Sequence, residues 1–218
     1  MNPQQQVMAA IQSGNLDQLR QALAQDPSAA SARDANGVSA IMLTLYHRRQ
    51  EMTDLLLQAN PAIDIFEATS LGQSDHVRKL IAADPSLLSA RSADGFTALH
   101  FACFFAREAA ARILIDAGAP VDLPANNAMQ VRPLHSAATA RNLPIVRLLL
   151  EHGADPNSRQ HGGWVPIHSA AQNGDLAIVE LLMQRGADPT LANDTGVTAL
   201  KLAQDKGHTA LADRLRAA

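Results

Sequence analysis

The sequence PLHSAATARNLPIVRLLLEHGADPN, residues 133–157, decides the fold, because it recurs one period later as PIHSAAQNGDLAIVELLMQRGADPT, residues 166–190. Gly153 and Gly186, the glycines of the HGAD and RGAD motifs, lie 33 residues apart. A fixed spacing of this size is typical of one small supersecondary unit that is stacked repeatedly along the chain. The sequence therefore predicts a tandem array.

Residues that begin helices recur at matching places in the array. Ser39, Thr97 and Thr198 each precede an alanine, and a hydroxyl at this place can accept a hydrogen bond from a free amide of the first helical turn. Pro133 and Pro166 suit the first helical position, where the missing amide hydrogen costs nothing. These residues predict the start of the first helix of each unit.

The second half of each unit predicts another helix and a sharp stop. Residues 145–150, IVRLLL, are apolar nearly all round a helix, so this helix must be packed between neighbours. Gly118, Gly153 and Gly186 follow such helices, at positions where a left-handed residue ends a helix and glycine adopts that conformation at least cost.

Three motifs taken together, P-L-H-x-A-A, I-V-x-L-L-L and G-A-D-x-N, resemble the ankyrin repeat. The resemblance implies an all-α repeat solenoid, in which helix-turn-helix units are joined by β-hairpin-like fingers. It covers nearly the whole chain, so we expect one ankyrin repeat domain over residues 1–218, with about seven repeats and a cap at each end. The expected repeats are 1–33, 34–64, 65–91, 92–124, 125–159, 160–192 and 193–218.

The third repeat departs most from the pattern. NPAID runs straight into IFEATSLG, so one finger is expected to be missing near Pro61. Residues 14–37 and 72–95 also resemble each other, and in both segments D-P-S-x-x-S-A-R replaces the usual G-A-D-x-N ending. We therefore expect these two connections to differ in shape from the later ones.

Composition excludes several classes of function. The 218 residues carry a net charge of −3, and the basic residues are scattered, so no positive field is available for nucleic acid. There is no basic leader and no apolar stretch long enough to cross a membrane, which favours a cytoplasmic protein. The single cysteine, Cys103, is expected to be a small buried core residue.

Catalytic and metal sites are not expected. His100, His135 and His168 recur at the repeat period, but equivalent helices lie roughly 8 to 10 Å apart, too far for three ligands of one ion. The resemblance implies instead that these histidines bond to the loops of neighbouring repeats. No nucleophile, phosphate-binding or dinucleotide motif is found, so we expect no enzyme activity and no cofactor.

The resemblance implies that a partner binds to a concave face made of finger tips and first helices. Of the seven aromatic residues, five map to this face, and exposed aromatics are typical of interface hot spots. The expected partner-binding residues are Tyr46, His47, Phe96, Phe104, Phe105, Met129, Val131, Trp164 and Gln172. An alternative for Phe104 and Phe105 is that they fill the gap of the missing finger, and for Phe96 and Trp164 that they pack between fingers.

Three hypotheses for function follow. The first is a non-catalytic module that binds one protein or peptide, as an inhibitor or a scaffold. The second is a structural or self-associating protein; the sequence favours a monomer, with a weak homodimer as the alternative. The third is a small-molecule site near the absent finger, between Leu71, Phe104 and Phe105.

Overall fold

The chain forms fourteen α-helices and no regular β-strand, and the computed structural model describes all residues from 1 to 218. The helices are α1 Pro3–Ser13, α2 Leu16–Gln25, α3 Ala40–Tyr46, α4 Gln50–Gln58, α5 Ile65–Leu71, α6 Ser74–Ala83, α7 Ala98–Phe104, α8 Glu108–Asp116, α9 Pro133–Thr139, α10 Leu143–Glu151, α11 Pro166–Asn173, α12 Leu176–Gln184, α13 Ala199–Asp205 and α14 Thr209–Arg216. An all-helical stack is the architecture that the repeat pattern predicts.

The helices pack as seven successive pairs, and the first helix of each pair contacts the first helix of the next. The first helices thus form one continuous row from α1 to α13, whereas in the row of second helices neither α4 and α6 nor α12 and α14 pack closely. The repeat boundaries and the terminal caps stay predictions.

The helix starts follow from the expected residues. Ser39 accepts a hydrogen bond from the amide of Met42 at 3.2 Å, and Thr198 accepts one from Lys201 at 3.3 Å. Pro133 and Pro166 occupy the first helical positions of α9 and α11. Side-chain capping and proline placement therefore explain why the helices begin where they do.

The fingers are turns rather than β-hairpins. The only strand-like pairings are the isolated bridges Arg33–Ser39 and Ala192–Thr198. In the first finger, the amide of Asp34 donates to the carbonyl of Val38 at 2.9 Å and that of Ala40 to the carbonyl of Ala32 at 2.8 Å, so the pairing is confined to the residues that flank the turn. The expectation of β-hairpin-like fingers is thus reduced to single tight turns.

The connection between α4 and α5 is the short one. It comprises residues 59–64, whereas the connections before α3, α7, α9, α11 and α13 span residues 26–39, 84–97, 117–132, 152–165 and 185–198. The finger predicted to be missing near Pro61 is indeed absent.

The two D-P-S connections share a shape that the later connections lack. Each contains a 3-10 helix, Pro27–Ser31 in one and Pro85–Leu88 in the other. In both, the aspartate before the proline accepts hydrogen bonds from the amide and the hydroxyl of the serine after it. The duplicated sequence therefore gives a duplicated turn.

The hydrophobic core is divided at the third repeat. One cluster of 14 buried residues lies in the first two repeats, and a second of 35 begins at Ile65 and runs to Leu215. Polar side chains are buried around the division, among them Thr44, Thr53 and Thr69, and the hydroxyl of Thr53 bonds to that of Thr44 at 2.8 Å. The hydroxyls of Thr44 and Thr53 are thus hydrogen-bonded, whereas the buried hydroxyl of Thr69 has no partner in the protein.

Three turns between paired helices use a left-handed residue that is not glycine. Arg48, Ala106 and Arg141 have φ angles of 55°, 55° and 61°, whereas the same turn uses glycine in four other repeats. A side chain in this conformation costs roughly 1 to 2 kcal/mol. These turns store strain that the surrounding packing holds in place.

Candidate partner-binding site

The missing finger brings the second and fourth repeats into contact. A Cβ atom added to Gly37, in the finger of the second repeat, would lie 3.1 Å from the Cβ of Ala93 in the finger of the fourth. On the first helices, the ring of Tyr46 stacks on Phe105 with a centroid distance of 6.1 Å. Side chains 59 positions apart in the chain therefore pack together across α5, because the third repeat has no finger to separate them.

Six aromatic rings form one cluster at this contact, those of Tyr46, Phe66, Phe96, Phe101, Phe104 and Phe105. Tyr46 and Phe105 both pack against Phe104, at 6.5 Å and 5.0 Å. Phe101 links Phe105 to Phe96, at 6.5 Å and 5.8 Å. Such pairs stabilise by about 0.5–1.5 kcal/mol each beyond the area that they bury. Five of its six rings are at least half-buried, so packing restricts most of the cluster.

A cleft with a volume of about 330 Å³ opens beside this cluster. It is lined by Tyr46, Asp94, Phe96, His100, Phe101, Phe104, Val131, His135, Ser136, Thr139 and Gln160. We call it the aromatic cleft. Phe104 is the exposed ring of the lining, with 52% of its surface accessible.

Asp94 lies at the aromatic cleft with two hydroxyl partners. The hydroxyl of Tyr46 donates to Asp94 Oδ2 at 2.5 Å, and that of Ser92 donates to Oδ1 at 2.5 Å. Burial and the hydrogen bond to Asp94 raise the pKa of Tyr46 well above its ordinary value. The phenol therefore remains a donor at every physiological pH.

Two histidines lie under the aromatic cleft and are uncharged. His100 Nδ1 accepts from the amide of Thr97 at 3.2 Å, so its Nε2 donates to the carbonyl of Val131 at 2.8 Å. His135 Nε2 contacts the carbonyl of Trp164 at 3.2 Å in the same way. Burial lowers the pKa of each imidazole to about 4.

These contacts confirm that the recurring histidines bond to the loops of the following repeats. His168 repeats the pattern with the carbonyl of Leu191 at 2.9 Å. No three His, Cys, Asp or Glu side chains come together as a metal-binding group. Cys103 is fully buried, and burial raises the pKa of its thiol far above the ordinary range.

The predicted partner-binding residues divide into two sets. Those that line the aromatic cleft are Tyr46, Phe96, Phe104 and Val131, with Phe105 packed behind them. Those that lie outside its lining are His47, Met129, Trp164 and Gln172. Of these four, His47, Met129 and Gln172 are exposed, and Trp164 is half-buried against His168 at 5.5 Å.

The expectation of one exposed patch of five aromatics is therefore wrong. Only Phe104 is exposed, and Trp164 does not contact the aromatic cluster. Leu71, expected near a small-molecule cleft, packs instead against the core of the first two repeats. The position of a residue within its repeat did not predict its depth, which depends on the neighbouring repeats.

Residues of the aromatic cleft that the sequence did not indicate form its floor and far wall. His100, Phe101 and His135 are buried, and they also bound the cleft. Gln160 comes from the next finger along. A buried position in a repeat pattern gives no signal that a cavity opens above it.

A second cleft, with a volume of about 430 Å³, shares the wall made by Tyr46 and Phe104. Its lining contains Arg48, Arg49 and Arg107 but no carboxylate. Two of these arginines are held by neutral carbonyl groups of the preceding repeat: Arg107 donates to Ser70 at 2.8 Å and Arg49 donates to Gln12 at 3.5 Å. We call this the arginine cleft.

None of the helices combines the length and the apolar character needed to span a bilayer.

Comparisons with known proteins agree with the helix pairs. The family described as Ankyrin repeats (3 copies) matches residues 65–160 and 153–217. Among curated proteins, BCL-6 corepressor-like protein 1 of Homo sapiens is 43% identical over 96 residues, which is 44% of this chain and 5% of that protein. A putative ankyrin repeat protein of Acanthamoeba polyphaga mimivirus is 31% identical over 85 residues, 39% of this chain and 11% of that protein. The chain thus spans a small part of either relative.

Proposed function

Because the chain belongs to the ankyrin repeat family, we propose that it is a non-catalytic module that captures a protein or peptide on the face formed by its fingers and first helices. Ankyrin repeats are generally protein–protein interaction modules. In this proposal the face is concave, the aromatic cleft is the anchor pocket, and the partner is inhibited or scaffolded in the cytoplasm. The observation that carries it is the preformed cleft beneath an exposed phenylalanine.

The exposed apolar side chains limit how much affinity the face supplies. Phe104 and Met129 are 52% and 48% exposed. If each buries roughly 100 Å² on docking, the two together gain about 5 kcal/mol. Association costs an estimated 4–15 kcal/mol, so the partner must also make polar contacts. The carboxylate of Asp94 and the side chain of Gln160 in the aromatic cleft offer such contacts.

Selection from a library of displayed random peptides tests this proposal. Peptides are selected on the protein and counter-selected on a Phe104→Ala variant, and their affinities are then measured by calorimetry. We expect Phe104→Ala to weaken binding roughly thirtyfold, the size of an interface hot spot. We expect it to lower stability by about 1 kcal/mol, because it removes two aromatic pairs.

Ile113→Ala is the matched control. It truncates a half-buried apolar side chain on α8, the second helix of the same repeat. This variant should lower the free energy of unfolding and leave the affinity for the peptides unchanged. Peptides that bind Phe104→Ala and Ile113→Ala equally well would contradict the proposal. So would a concentration-dependent dimer of the unmodified protein that is lost in the Phe104→Ala variant. The dimer would favour the self-associating protein in its place.

A further inference from the structure

The aromatic cleft carries a single charge. Among its eleven lining residues, Asp94 is the only one with a charged side chain at neutral pH, since His100 and His135 are buried and neutral. The remaining polar groups are hydroxyls and one amide. An anionic ligand would therefore meet a carboxylate with no cation beside it.

The charge of Asp94 is not neutralised within the protein. Its hydrogen-bond partners are the hydroxyls of Tyr46 and Ser92, and it takes part in none of the ten ion pairs. The guanidinium of Arg91, in the same finger, is directed to the carbonyls of Gly95 and Pro124 instead. Each carboxylate oxygen can accept more than one hydrogen bond, so capacity remains for a donor from outside.

The rings around this carboxylate are inclined steeply to one another. Phe96 and Phe101 meet at 67°, and Tyr46 and Phe104 meet at 78°. Rings at such angles bound a cleft on different sides instead of forming one flat wall. The face of an aromatic ring attracts a cation within about 6 Å, and Arg and Lys are the cations that proteins use for this contact.

The arginine cleft lies on the other side of Tyr46 and Phe104 and has the opposite sign. A cation is repelled there by Arg48, Arg49 and Arg107, and it is attracted beyond the shared wall by Asp94. Opposite charges in adjacent clefts fix the register of a partner more than they raise its affinity. A basic side chain therefore has one favourable position on this surface.

We propose that the aromatic cleft binds a basic side chain, arginine or lysine, of the protein partner, with its charge against the carboxylate of Asp94 and its stem against the rings of Phe96 and Phe104. The inference rests on the proposed function and specifies the chemistry of the anchor. Arginine is the better fit, because its planar, weakly hydrated guanidinium stacks on rings and bonds to a carboxylate through two N–H groups.

Side-chain probes test the cleft without a partner. The acetylated methylamides of arginine, lysine, norleucine and glutamate are titrated into the ¹⁵N-labelled protein and followed by NMR. We expect the two basic probes to bind with dissociation constants on the order of 1 mM and to shift the amides of residues 94–104. Norleucine, which has nearly the length of lysine and no charge, should bind at least roughly tenfold more weakly.

Two variants test separately the charge of Asp94 and the ring face of Phe104. Asp94→Asn keeps one acceptor oxygen, for the hydroxyl of Tyr46 or of Ser92, and its NH2 group can donate to the other hydroxyl. It should weaken the arginine probe roughly tenfold. Phe104→Leu keeps an apolar side chain but loses the ring face, so it should weaken the probe about threefold. Asp116→Asn is the control, because Asp116 is exposed at the end of α8 and forms no ion pair. Its affinity for the probe should equal that of the unmodified protein.

The outcomes separate this inference from the proposed function. Equal binding of norleucine and arginine, no saturable shift at the solubility limit, or an Asp94→Asn variant with unchanged affinity would overturn the inference. If selected peptides bind but tolerate replacement of every Arg and Lys by norleucine, the inference fails and the binding module stands. If the basic probes bind at Asp94 and no peptide is captured, the cleft is a site for small cations and the proposed function fails.

Discussion

Acid should lower the free energy of unfolding of this protein, because the histidines under the aromatic cleft are buried and neutral. Replacing one of these histidines should remove its contribution to that loss of stability. His100 is 1% exposed, and burial lowers its pKa from 6.5 to about 4. Because the folded pKa lies below the unfolded value, the unfolded chain binds the proton first. The stability that comes from neutral His100 is therefore complete above pH 6.5 and is lost as the pH falls from 6.5 toward 4.

The size of the effect follows from the two pKa values. At pH 5 the unfolded imidazole is almost fully protonated and the folded one is mostly neutral. The difference corresponds to about 1.5 pKa units, or about 2 kcal/mol between pH 7.5 and pH 5. His135, which is 2% exposed with a pKa of about 4, contributes a similar amount.

The assay is urea unfolding at pH 7.5 and pH 5.0 for the protein and for His100→Gln. Burial raises the pKa values of Glu67 and Asp122, and these carboxyl groups act in the opposite direction, because the folded state then holds the proton more tightly. The raw pH curve therefore mixes opposing effects. Comparing the two proteins isolates the contribution of His100. Between pH 7.5 and pH 5.0, the variant should lose about 2 kcal/mol less free energy of unfolding than the unmodified protein.

Two features make the comparison decisive. The second repeat has Met42 where the fourth has His100, so a helix of this stack tolerates a residue that does not titrate. His47→Gln, a substitution of an exposed histidine at the end of α3, is the control and should leave the acid loss intact. An acid loss in His100→Gln as large as in the unmodified protein would refute the reasoning.

Three further predictions concern the backbone and the thiol. Ala106→Gly should raise the free energy of unfolding by about 1 kcal/mol, because Ala106 has a φ of 55°; a loss of stability in urea unfolding would contradict this. Gly95→Ala should lower the melting temperature more than Gly118→Ala. Both glycines are left-handed, but only at Gly95 would the new Cβ atom meet a backbone oxygen, that of Asn126 at 2.5 Å. Cys103 should react with a thiol reagent only as fast as the protein opens, since it is fully buried with a raised pKa; rapid labelling of the native protein would contradict its position.

The sequence predicted the local structure well because local causes produce it. Hydroxyl residues and prolines begin the first helices, and Gly153 and Gly186 adopt the left-handed conformation expected after the second helices. The missing finger near Pro61 was also predictable, because a deletion in a periodic sequence is visible as a shift of register. The left-handed conformation of Arg141 was not predictable, since nothing in the sequence marks an arginine for it.

The candidate site was predicted only in part. The four predicted residues that line the aromatic cleft belong to the second, fourth and fifth repeats, as the register of the array indicates. Trp164 and Gln172 were assigned by the same rule, but they lie outside the lining. The rule gives each repeat the same face, and it cannot tell where neighbouring repeats approach closely enough to enclose a cavity.

By itself, the sequence determined that the chain is a stack of helix pairs, because period, capping residues and turn glycines act over a few residues and recur in most copies. Only the tertiary structure decided where a ligand fits. The absence of one finger brings Tyr46 onto Phe105 and Asp94, which are remote in sequence, and this contact encloses one unpaired carboxylate among aromatic rings. Contacts between repeats depend on how the units pack against one another, and a pattern that treats all repeats alike does not contain that information.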